Sequence, residues 1–129
     1  MVLARFVLIF TGLSFAGYGV ACFLYPVAVA GYFTGFGMAA PAALIEARAM
    51  YGGLQAGFGV FCLLAGFRRP WTVPALAAIA WVMGMLALAR LAGLALHGMA
   101  GWHGQVVVYE AATTVLAMLA LRRLRAVAA

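Results

Sequence analysis

Lysine and aspartate do not occur in this sequence, and charge of either sign is scarce. Only 8% of its 129 residues are charged, against 69% that are hydrophobic. A soluble domain carries about 25% charged residues, so this composition excludes an ordinary water-soluble fold. It fits one all-membrane domain covering 1–129, with no room for a sizeable aqueous one.

Other absences narrow the chemistry. Cys22 and Cys62 lie far apart in separate apolar segments, with no CxxC pair and no zinc-ligand spacing, so both read as small buried core residues. No phosphate-binding glycine loop, serine-triad signature or zincin motif occurs, and no catalytic residue is assigned. His97 and His103 flank a single turn, which does not provide the facing pair that a haem in a helix bundle needs. A set of His97, His103 and Glu46 is the one conceivable metal arrangement, and no metal or other cofactor is expected.

What charge there is has a pattern. The formal net charge is +6, which in a soluble chain would suggest nucleic acid. All the basic residues are arginine, however, and Arg5, Arg68, Arg69, Arg122, Arg123 and Arg125 flank apolar segments. Arg48 and Arg90 lie inside such segments, as do the only acids, Glu46 and Glu110. The intramembrane charges cancel and the excess sits at helix ends, which marks topology and excludes a nucleic-acid patch.

Taken in order, residues 6–25 form the first apolar run, long enough at about 1.5 Å per residue to cross the roughly 30 Å hydrocarbon core. It exceeds a signal-peptide core, so it reads as a retained helix despite the cleavage-like Ala28-Val29-Ala30. Gly12, Ala16 and Gly19 on it permit close approach by a neighbour. The uncharged, aromatic-bearing stretch 26–41 is too short to span and reads as an interfacial or re-entrant segment.

The second helix is expected over 42–67, stopped by Arg68-Arg69-Pro70. Ala49, Gly53 and Gly57 offer it a small-residue packing face, while Arg48, Tyr51 and Gln55 share another. The third runs over 71–96 with Pro74 in its first turn, and the fourth over 105–121, ending at the Arg122–Arg125 cluster. The methionines read as core filler, and Thr113 and Thr114 as hydroxyls bonded to their own helix. The flanking arginines, Arg5, Arg68-Arg69 and the Arg122–Arg125 cluster, all fall on one side of this arrangement, and the 26–41 and 97–104 connections carry none. The fold expected is therefore an all-α polytopic four-helix membrane bundle with both termini cytoplasmic.

This topology gathers the costly residues. Arg90 and Glu110 flank the outer turn at similar distances and so lie at matching depth, roughly 9–10 Å inside the outer ends. His97 and His103 share their respective stripes and stack above that pair. Glu46 and Arg48 sit at nearby depth, with Tyr51 and Gln55 below, but differ by about 200° around their helix and cannot point the same way. Tyr51 is either a phenol polarised by Arg48 or an interfacial anchor. The cluster either fixes helix register, with Arg48 reaching toward headgroups, or forms a site for a ligand, ion or lipid headgroup, or docks another membrane subunit. A proton-coupled transporter or membrane enzyme using Glu46 or Glu110 as proton acceptor is the alternative.

The combination Glu46-x-Arg48-x-x-Tyr51-Gly52-Gly53, then Arg90-x-x-Gly93-Leu94, then Glu110, resembles a group of small bacterial four-helix membrane proteins of unknown function, broadly similar to DoxX-like proteins. The resemblance covers nearly the whole chain. It implies a bacterial four-helix bundle with a shared charged motif and supplies no established activity; the expectation is of an inner-membrane protein working among lipids as a homo-oligomer or as a subunit of a larger complex. DoxX-like members are linked to membrane redox complexes and quinone chemistry, so a bound lipid or quinone is possible, although no cysteine pair or cofactor motif here carries redox chemistry by itself.

Overall fold

A computed structural model describes residues 1–128. Four long helices account for most of them: α1, Val2–Leu24; α2, Pro41–Phe67; α3, Arg69–His97; and α4, His103–Ala128. All four are long and apolar enough to cross a membrane, and no strand occurs among the described residues. Helices satisfy their backbone internally, which is what a hydrocarbon surround demands. Large apolar side chains such as Leu13, Trp81 and Leu96 accordingly stand exposed along them.

The chain divides into two compact units: Phe10–Leu63, and Met1–Ile9 together with everything from Leu64 onward. In the first, α1 and α2 approach at backbone distance. A Cβ on Gly19 would overlap the Ala56 nitrogen and come within 2.8 Å of the Gly52 carbonyl; one on Gly59 would overlap the Ala16 nitrogen. Glycine is the only residue that permits this approach, as the sequence indicates for Gly12, Ala16 and Gly19. Phe15 packs edge-on against Phe58, with centroids 5.2 Å apart.

The partner stripe on α2 is not the expected one. Gly57 meets nothing within 4 Å and Ala49 is exposed, while Gly52, Ala56 and Gly59 make the contact. The contact residues recur at i, i+4 and i+7 and so share one face of the helix, from which Gly57 is turned away. Upstream, residues Ala47–Gly53 are wound as a π-helix between α-helical Pro41–Glu46 and Leu54–Phe67, and its wider turn takes Ala49 out of α-helical register with Gly57.

Between α1 and α2, Val27–Gly31 is another π-helical turn, followed by one α-helical turn at Tyr32–Thr34. Thr34 Oγ1 donates to the Ala30 carbonyl at 2.6 Å and accepts from the Phe36 amide at 3.2 Å. Gly35, at φ 73°, breaks the helix in a left-handed conformation. The segment folds back onto its own unit: Ala30 and Met38 are buried with Cys22 and Ala47, against Tyr18, Leu44 and Tyr51. Tyr32 and Phe36 stay exposed.

In the other unit, Leu8, Leu76, Ile79 and Met83 are fully buried. Arg5 Nε donates to the Gly66 carbonyl at 3.2 Å, satisfying one of the orphan acceptors at the C-terminal end of α2. Thr72 does the same for Ala65 at 3.2 Å. Helix α3 begins at Arg69, so Pro74 lies beyond the first turn and is accommodated inside the helix. Helix α4 continues through the arginine cluster to Ala128, longer than the expected 105–121. Arginine is a good helix former, and nothing after Leu121 breaks the helix. Cys22 and Cys62 are buried and free. Of the methionines only Met38 and Met83 are core; Met50, Met85, Met99 and Met118 are exposed.

Candidate functional site

The α3–α4 hairpin is made by an uncharged turn in which Gly98 and Gly101 take φ of 80° and 50°, values that favour glycine. The turn sets the two helices antiparallel, so residues equally far from it face each other. Arg90 on α3 and Glu110 on α4 are such a pair.

Arg90 Nη2 donates to Glu110 Oε1 at 2.8 Å, and Nε donates to Oε2 at 3.0 Å. This is the two-pronged guanidinium–carboxylate arrangement that fixes both side chains in one plane. Glu110 is 3% exposed and Arg90 25%. A buried carboxylate so bonded has both oxygens committed, and its backbone is committed too. Thr114 Oγ1 donates to the Glu110 carbonyl at 2.8 Å, and Thr113 to that of Tyr109 at the same distance.

The third prong of Arg90 reaches an imidazole. Arg90 Nη1 lies 2.8 Å from His103 Nδ1. Arginine has no acceptor, so Nη1 donates and Nδ1 accepts, which puts the ring hydrogen on Nε2. His103, the first residue of α4, is thereby held by a side chain from mid-α3.

Beside this triad lies an open groove of about 390 Å³. Leu86, Ala89 and Leu94 give it apolar walls, while Arg90, His97 and His103 bring polar atoms to it. The α3 residues follow the i, i+3, i+4, i+7 rule and so line one helix face. Gly93 is on that face too, and a Cβ there would meet nothing within 4 Å. The volume falls in the range of about 300–1,000 Å³ typical of small-molecule sites.

The other expected residues lie in the other unit. Glu46 is exposed at the last α-helical position before the π segment. Arg48 is exposed, and its Nε donates to the Phe23 carbonyl at 3.2 Å, tying α2 to the end of α1. Tyr51 packs against the Cys22–Ala30–Met38–Ala47 cluster. Gln55 is half-buried below the π segment. Because Ala47–Gly53 is π-helical, the α-helical face joining Arg48, Tyr51 and Gln55 is not maintained. No group of three or more metal-ligating side chains occurs among the described residues. Sequence reasoning missed the groove itself. Its signal was Gly93 between Arg90 and His97, a residue with no side chain on the polar face.

A family model for a domain of unknown function, DUF4345, matches residues 3–121, and the chain belongs to that family. No curated protein and no solved structure matches it.

Proposed function

For this member of the DUF4345 family, we propose a role as an accessory or binding subunit. Its α3–α4 groove holds the polar end of an amphipathic molecule at the Arg90–His103 edge. The carrying observation is the groove of about 390 Å³ adjoining the hydrogen-bonded Arg90–Glu110–His103 triad. Polar groups placed at one margin of an apolar cleft orient a ligand and select it, while the apolar walls supply affinity. A register-fixing pair alone needs no groove.

The distribution of arginines supports a setting with both termini cytoplasmic and this groove in the outer half of the membrane. The resemblance to small bacterial membrane proteins supports a bacterial inner membrane, as a homo-oligomer or within a larger complex. The aromatics Tyr32 and Phe36, exposed on the 26–41 segment, suit the headgroup level of an interfacial stretch. Both Glu110 oxygens accept from Arg90, which suits a fixed pair better than a proton acceptor.

Ligand binding to the folded state raises its melting temperature. Lipids extracted from the protein's own membrane should therefore raise the unfolding temperature of delipidated wild type and leave Gly93→Phe, whose ring fills the groove, unshifted. Equal shifts in the two proteins would contradict the reading.

A further inference from the structure

The bonding around Arg90 specifies the kind of headgroup. We infer that the groove selects an uncharged amphiphile whose headgroup accepts a hydrogen bond, and rejects an anionic one; this rests on the binding role proposed above.

Three observations carry it. First, the guanidinium is already engaged through all three of its nitrogens: Nε and Nη2 donate to the two Glu110 oxygens and Nη1 donates to His103 Nδ1, so its strongest donor edge is turned to an internal carboxylate. Second, the carboxylate cancels the arginine charge at bonding distance, and Glu110 is 3% exposed, so its own charge is little screened by solvent. A phosphate or carboxylate arriving at Arg90 would meet that negative charge in a low-dielectric setting, with no second cation among the groove's lining residues to offset it. Third, His103 accepts at Nδ1 and therefore carries its hydrogen on Nε2. An imidazole of that tautomer is uncharged and offers a donor to a carbonyl, ester or ether oxygen. His97 adds a second imidazole to the same groove. Apolar walls with a neutral donor at the margin match a neutral headgroup on an apolar tail.

The test uses two photoreactive probes with the same diazirine-bearing acyl chain, a diacylglycerol and the corresponding phosphatidic acid. Each is added to the full chain in phosphatidylcholine nanodiscs, and crosslinks are mapped by peptide mass spectrometry. The diacylglycerol should label the 86–98 peptide several-fold more than the phosphatidic acid does, and Gly93→Phe should abolish that label. His103→Phe, which keeps a ring and removes the donor, should weaken diacylglycerol labelling several-fold.

Gly93-dependent labelling that is equal or stronger with phosphatidic acid would overturn the neutral-headgroup inference and leave the binding role standing. Labelling by both probes that ignores Gly93→Phe would remove the binding role and this inference together. Because a Cβ at Gly93 meets nothing within 4 Å, loss of label in that variant, with its melting curve unchanged, reports the groove rather than the fold.

Discussion

Arg90 and Glu110, one on each arm of the α3–α4 hairpin, share two parallel N–H···O bonds of 2.8 and 3.0 Å. Removing one partner of a buried ion pair strands the other, at a cost of about 3–5 kcal/mol. Arg90 is 25% exposed, so the lower part of that range applies to Glu110→Gln. Replacing both residues with leucine removes the stranded charge and should recover much of the loss. Arg48→Gln gives up one exposed bond to a carbonyl, worth under about 1 kcal/mol. Thermal unfolding in detergent should rank Glu110→Gln well below both other variants; equal melting temperatures would dismiss the arrangement.

Glycine substitutions along α2 separate the stripe that packs from the one that does not. Gly59→Ala drives a methyl into the backbone of α1 at Ala16 and should lower stability. Gly57→Ala meets nothing within 4 Å and should be neutral or stabilising, since alanine is the better helix former by about 1 kcal/mol. Unfolding of the two alanine variants side by side checks this. The reverse order would mean that α1 packs on the Gly57 face of α2.

Cysteine labelling reads the topology. The native cysteines are buried, so a reporter introduced at an exposed site can be followed against a low background. Met99→Cys, in the α3–α4 turn, should react with an impermeant maleimide in intact cells. Arg69→Cys should react only after permeabilisation. Labelling of Arg69→Cys in intact cells would invert the orientation drawn from the arginines.

These contrasts also mark what the sequence made legible. Arg90 and Glu110 were readable as a pair because a short uncharged turn forces antiparallel helices, and distance from the turn then equals depth. Depth says nothing about rotation: His103 turns to Arg90, where stacking on His97 was expected. Close packing at Gly12, Ala16 and Gly19 was readable from residue size. Its partner stripe on α2 was not, because two small-residue sets, Ala49/Gly53/Gly57 and Gly52/Ala56/Gly59, run along different faces of the same helix and residue size alone does not say which one meets α1. The end of α4 was set too early, since a change from apolar residues to arginine ends a hydrophobic run without ending a helix.

The most direct test of a ligand-holding groove is native mass spectrometry of wild type and Gly93→Phe, each gently solubilised from the protein's own membrane. The account predicts a discrete small mass retained by wild type and lost from the variant, with the two polypeptides equally folded. The same adduct on both, or none on wild type, would contradict it.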